Sequence, residues 1–224
     1  NILIENKGIL RLKKTAGEAH LHQEGQYYLE RDRGAVALAI DTTLKSLGGG
    51  VVLCSALTPE EKLMASTGRL MGVGDNVWIK FVSYPLSELK HFYGSFSNPY
   101  LKLTLHSMQE SMYDPSLPNF SQDGFIDDVP LPQAFDDYKR VNQRLARSLA
   151  SLARKMHNPR IFFQNFHFFM APAYLRALDS KWPVSLFLHV TWPTPDYLKK
   201  NTPLFLIKEI LGGMLGCDEI GFLA

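Results

Sequence analysis

The residues of this sequence best placed to do chemistry stand where apolar runs end. Val184-Ser185-Leu186-Phe187-Leu188 has the length and residue types of a buried parallel strand, and His189 follows it directly. Trp192, Pro193 and Pro195 come next and cannot continue a sheet. In open α/β sheets, ligands occupy the crevice at the carboxyl ends of the strands. An imidazole at that point is therefore expected to bond or orient a substrate; the bland alternative is a core histidine satisfied by a backbone carbonyl. A second candidate is Arg33-Gly34, where accessible N–H groups at a helix N-terminus stand beside a guanidinium. That pairing suits a phosphate, although an ordinary N-cap turn would use the same residues. His20 and His22 are spaced like a metal pair but have no third ligand nearby, so they read as solvent-facing and no metal site is expected.

Composition narrows the classes. The chain has 224 residues, 46% of them hydrophobic and 21% charged, with a net charge of +2. These values describe an ordinary globular protein, and the scattered Lys and Arg argue against a nucleic-acid partner. Cys54 and Cys217, the only two cysteines, lie in apolar surroundings and read as reduced core thiols. That usage suits a cytoplasmic protein. No apolar run approaches the ~20 residues of a membrane helix, so no membrane partner is expected. The first residue is Asn1 rather than Met, so we read the natural start as lying upstream.

Positioning elements can be read around these candidates. Ile2-Leu3-Ile4 forms a first strand, with Asn6-Lys7-Gly8 as the loop at its carboxyl end. Residues 9–12 and 26–29 make the arms of a β-hairpin. A helix follows Arg33-Gly34, carries Val36, Leu38, Ile40 and Leu44, and stops at Gly48-Gly49-Gly50. The glycine triplet follows a helix and precedes a strand, the wrong order for a dinucleotide loop. Residues 51–54, 76–82, 160–165 and 219–222 are further strands, and Thr58-Pro59-Glu60-Glu61 has the cap, proline and acidic first turn of a helix start. Residues 87–93 begin another helix; Phe96-Ser97-Asn98-Pro99 reads as a turn leading into 100–106. The Asp-, Pro- and Ser-rich stretch 113–132 is expected to be a long surface loop or lid. It leads into an amphipathic helix over 133–156, with Phe135, Tyr138, Val141, Leu145, Leu149 and Leu152 on one stripe. The alternation of strand and helix predicts an α/β fold, a Rossmann-like and largely parallel sheet with helices on both faces plus the N-terminal β-hairpin. Residues 1–224 read as a single domain of this kind. The chain ends just after a strand, where a covering helix is expected to follow.

These motifs carry a family resemblance. Phe187-Leu188-His189-Val190-Thr191-Trp192-Pro193-Thr194-Pro195 is similar to the segment F-L-H-I-P-F-P-S/T-P of trehalose-6-phosphate synthases. In the same order stand Tyr93 with Phe96-Ser97-Asn98, then Arg140-Val141-Asn142, Phe166-His167 and Ile220-Gly221-Phe222. The resemblance implies a retaining glycosyltransferase of the B type, with no cofactor beyond its substrates. One substrate would be a nucleotide sugar such as UDP-glucose or GDP-glucose, the other a sugar phosphate. It also implies that this chain is the N-terminal, acceptor-side half of a two-domain enzyme, with a C-terminal nucleotide-sugar domain absent. It leaves room for a homo-oligomer.

Carried over residue by residue, the family's site is altered. Its phosphate-binding arginine falls on Lys7, which keeps the charge but loses the bidentate fork. Its glycine pair falls on Arg33-Gly34, its phosphate-contacting tyrosine on Tyr93, and its sugar-packing tryptophan on Lys102. The acid of V-H-D-Y-H falls on Asn165, the active-site histidine on His189, and the proline two residues later on Thr191. Two readings follow. One is an active transferase whose acceptor has changed, to a cyclitol or other polyol phosphate; Trp192-Pro193 with Tyr197 resembles the branch that couples pseudosugars. The other is a non-catalytic relative kept as a binding or regulatory subunit.

Overall fold

The computed structural model describes residues 1–5, 10–14, 27–31, 35–108, 129–178 and 181–223. Two compact units divide them, Asn1–Ser83 and Tyr84–Ala224.

In the first unit four strands pair in the order β5-β6-β4-β1. β1 (Ile2–Ile4) is apolar throughout and buried throughout, as the sequence suggests. It lies parallel to β4 (Gly50–Ser55), which is parallel to β6 (Val77–Val82). β5 (Met71–Gly74) is an antiparallel edge strand that the sequence reading lacks. Its glycines and the positive φ of Asp75 and Asn76 turn it into β6. β2 (Leu10–Lys14) and β3 (Tyr27–Arg31) form the expected antiparallel hairpin; its tip, with His20 and His22, falls outside the described residues. α1 (Ala35–Ser46) ends at Gly48 and Gly49, both at positive φ. A Cβ on Gly49 would sit 2.5 Å from the carbonyl oxygen of Asn76, so this helix stop also lets two backbones approach. α2 (Pro59–Thr67) begins with a full capping box, Thr58 accepting from the Glu61 N–H and Glu61 accepting from the Thr58 N–H.

In the second unit β7 (Ile161–Gln164), β8 (Val184–Leu188) and β9 (Glu219–Phe222) pair in that order, all parallel. Along β8, Val184, Leu186 and Leu188 are buried while Ser185 and Phe187 are half-buried, so its two faces differ. α5 (Leu131–Ala153) starts two residues before the sequence suggests, because Pro132 occupies the first turn, where a missing N–H costs nothing. Thus 131–132 belong to the helix; 113–128 of the expected lid lie outside the described residues. The stripe from Phe135 to Leu152 is buried as expected, each large side chain contributing about 1.5–3 kcal/mol. α6 (Ala171–Leu178), α7 (Pro195–Asn201) and α8 (Leu204–Met214) complete the unit. α8 comes close to the β7–α6 loop at Gly213, where a Cβ would stand 2.5 Å from the Phe169 carbonyl oxygen. The architecture is therefore α/β, with strands paired in parallel except at β5 and in the β2–β3 hairpin.

The sequence reading is corrected at 96–99. α3 (Leu86–Lys90) does not stop before a turn there. It continues as a π-helix over His91–Lys102 and closes with the single turn α4 (Leu103–Leu105). Pro99 sits inside this run. An α-turn would drive its ring into the carbonyl four residues back and offer a bond it cannot donate. Opening the turn to i→i+5 pairing accommodates it.

Candidate functional site at the ends of β7 and β8

The parallel register places Gln164 beside Phe187, so Gln164, Phe187 and His189 project to the same side of their strands. His189 Nε2 lies 2.7 Å from Gln164 Oε1, and the Phe187 ring meets the imidazole edge-on at 4.8 Å between centroids. The histidine is thus held by a side-chain amide at the strand ends rather than by a backbone carbonyl. Burial lowers its pKa from the ordinary 6.5 and keeps the ring neutral at neutral pH. Asn165, the residue that follows β7, takes a left-handed conformation at φ 66°, which Asn tolerates better than most residues. Its N–H bonds the Phe187 carbonyl at 2.8 Å, while its Oδ1 is buried with no partner among the described residues. Thr191 donates to the Leu105 carbonyl at 3.0 Å and ties the segment after β8 to α4.

The loop that follows β7 is held from below by α5. Tyr138, fully buried, donates its hydroxyl proton to the Phe166 carbonyl at 2.9 Å and accepts the Phe169 N–H at 3.0 Å. Asn142, one helical turn on, donates to the His167 carbonyl at 3.3 Å and accepts the N–H groups of Met170 and Ala171 at 3.2 and 3.0 Å. Four backbone groups of 166–170 and one of Ala171 thus find partners on a single helix face, which fixes the path of the chain leaving Asn165. Tyr93 stacks on His167 with 5.9 Å between ring centroids and 9° between planes. This contact brings the expected phosphate-contacting tyrosine within reach of the end of β7.

Lys102 joins Tyr93 through the π-helix. Nine residues separate them, which is two and a half turns of an α-helix and would put them on opposite faces. At the roughly 4.4 residues per turn that i→i+5 bonding imposes, nine residues make about two full turns. Buried along the run are Phe92, Phe96, Ser97, Pro99, Tyr100 and Leu101, and all of these but Pro99 fall on one stripe at that wide period. Tyr93 and Asn98 are half-buried and Lys102 is exposed, so these three mark the opposite, outer stripe.

Of the residues singled out in the sequence, then, Asn165 and His189 stand at adjacent strand ends, with Tyr93 tied to the same loop and Lys102 on the face that Tyr93 shares. Lys7, Arg33 and Gly34 lie outside the described residues. Gln164 escaped the sequence reading: it looks like one more residue of a strand, and only the register with β8 aims it at His189. Among the described residues no cluster of three or more His, Cys, Asp or Glu could hold a metal, and no helix is long and apolar enough to cross a membrane. Cys54 is a buried thiol outside any disulfide, and burial pushes the Cys217 thiol up to about 12.

Comparison with known proteins bears on the same region. The model of glycosyltransferase family 20 matches residues 2–224. A bifunctional trehalose-6-phosphate synthase/phosphatase of Thermoproteus tenax is 27% identical over 199 residues, covering 84% of this chain and 24% of its own length. A validamine 7-phosphate valienyltransferase of Streptomyces hygroscopicus subsp. jinggangensis is 28% identical over 92 residues, 41% of this chain and 18% of its own. Among solved structures, an α,α-trehalose-phosphate synthase (UDP-forming) from Burkholderia vietnamiensis superposes with a TM-score of 0.66 at 21% identity, over 100% of this chain and 39% of that one. The chain therefore spans about a quarter of the length of the first relative.

Proposed function

The chain belongs to glycosyltransferase family 20, the trehalose-6-phosphate synthase family of B-type glycosyltransferases, and we propose that it is the acceptor-side domain of an enzyme that transfers a sugar, with retention, from a nucleotide sugar to a phosphorylated sugar or polyol. The observation that carries this reading is the polar edge at the ends of β7 and β8. His189 is bonded to Gln164, and the buried Oδ1 of Asn165 has no partner among the described residues. A buried, unsatisfied acceptor costs about 1–3 kcal/mol, which a ligand hydroxyl donating to it would recover. On this reading Lys7, Arg33 and the Gly34 backbone hold the acceptor phosphate, and a C-terminal domain holds the nucleotide diphosphate.

The acceptor differs from that of an ordinary trehalose-6-phosphate synthase. Asn165 offers one acceptor and one NH₂ where a carboxylate would take two charge-assisted bonds. Lys102 presents an ammonium where the family has an apolar ring. A cyclitol or polyol phosphate fits these changes, and the Streptomyces relative is, by its name, a validamine 7-phosphate valienyltransferase. Among the described residues, the ends of β7 and β8 hold no carboxylate pair for double displacement. Transfer then proceeds by same-face substitution, the leaving diphosphate stabilised by cations and taking the acceptor proton. His189, neutral, orients the donor sugar and is not the base.

The loss of the family's acid and tryptophan favours a second reading, a non-catalytic binding subunit. Calorimetry on the full-length protein separates the two. UDP-glucose and GDP-glucose are titrated alone and with sugar or cyclitol phosphates, and turnover is measured for the native chain, His189→Ala and Lys7→Ala. The enzyme reading expects nucleotide-sugar binding, lower turnover for His189→Ala, and mainly a raised acceptor KM for Lys7→Ala. If no nucleotide sugar binds, or His189→Asn keeps full activity, the binding-subunit reading takes its place.

A further inference from the structure

We infer that Gln164 is a positioning residue that sets the tautomer of His189: its Oε1 accepts the Nε2–H and leaves Nδ1 as a bare acceptor for a hydroxyl of the donor sugar. A neutral imidazole has one N–H and one lone pair, so the partner of one nitrogen decides the role of the other. Here the partner is an amide oxygen at 2.7 Å, and Nδ1 has no partner among the described residues. Both groups are placed by the strands that carry them. Gln164 ends β7 in register with Phe187, His189 follows β8, and the edge-on Phe187 ring at 4.8 Å limits rotation of the imidazole. Burial lowers the pKa of His189, which favours the neutral ring that the assignment needs.

The sugar-binding part of the inference rests on the proposed donor role of His189; the tautomer does not. An Nε2–H committed to Gln164 cannot also donate to the sugar. His189 therefore recognises a hydroxyl that gives a proton, and a donor sugar carrying fluorine or hydrogen in place of that hydroxyl binds more weakly.

The test uses the full-length protein with ¹⁵N-labelled histidine. In the native chain the His189 ring is expected to be protonated on Nε2 alone, with a slowly exchanging proton. Gln164→Glu, which keeps an acceptor, should preserve that signal when measured above the imidazole pKa that its carboxylate raises. Gln164→Met, similar in size but without an acceptor, should abolish the slow exchange, admit both tautomers, and raise the nucleotide-sugar Kd roughly tenfold. An Nδ1–H tautomer in the native chain overturns the inference, and that spectrum decides even if Gln164→Met fails to fold. An Nε2–H signal unchanged in folded Gln164→Met overturns it too. An Nε2–H tautomer that depends on Gln164, in a protein that binds no nucleotide sugar, upholds the positioning role and instead overturns the donor reading.

Discussion

Replacing Tyr138 by Phe tests how the site loop is held, because it removes one oxygen and little else. The ring is fully buried, 4.6 Å from Phe96, 5.6 Å from Phe92 and 6.1 Å from Phe135 between centroids, and a phenylalanine keeps all of that packing. What disappears is the hydroxyl that donates to the Phe166 carbonyl and accepts the Phe169 N–H. Each buried backbone group left without a partner costs about 1–3 kcal/mol. The pair should therefore cost about 2–4 kcal/mol, since the loop can shift a little to recover part of it. For a chain of this size that corresponds to a fall in Tm of roughly 4–16 °C. Burial pushes the phenol pKa far above its ordinary value, so the deficit should not change between about pH 6 and 9. Urea unfolding followed by circular dichroism measures it. Asn142→Ala, which strips further bonds from the same loop, should be less than additive with Tyr138→Phe. A Tyr138→Phe loss below about 0.5 kcal/mol, or strict additivity with Asn142→Ala, would refute the claim that α5 anchors the loop through these bonds.

Other expectations follow from close approaches and charges. Gly212→Ala should raise stability by about 0.5–1 kcal/mol, since its Cβ meets nothing within 4 Å, whereas Gly213→Ala should lower it by about 1–3 kcal/mol by striking the Phe169 carbonyl at 2.5 Å; thermal melts of the two variants check the opposite signs. The Asp218 carboxyl, bonded first by the Val184 N–H and then by Arg176, is held below its ordinary 3.8. Its stabilisation is therefore full above that value and is lost as the pH falls through the lower folded pKa; melting temperature against pH should decline less steeply there in Asp218→Asn. If Lys102 faces the acceptor, Lys102→Trp should tighten binding of an unsubstituted hexose phosphate about fivefold by calorimetry and leave nucleotide-sugar binding unchanged.

The strands that carry the site were legible because each is a short apolar run ending in polar residues, so their ends could be read directly at Asn165 and His189. What pairs with what was not legible. Gln164 becomes a partner of His189 only through the parallel register of β7 with β8, and register is a property of two segments that no local pattern encodes. The run 91–102 failed for the opposite reason. Its local signal, Ser-Asn-Pro, is a sound turn signature, and the tertiary environment overrode it. Phe92, Phe96, Tyr100 and Leu101 each gain burial in a continuous helix, and widening the turns keeps Pro99 inside it. That widening has a consequence for the proposed site. A regular α-helix over the same residues would turn Lys102 half a revolution away from Tyr93, whose ring lies against His167. Keeping Pro99 in the helix and keeping Tyr93 and Lys102 on one face are thus met by one departure from α geometry, and a sequence reading that breaks the helix at Pro99 loses both.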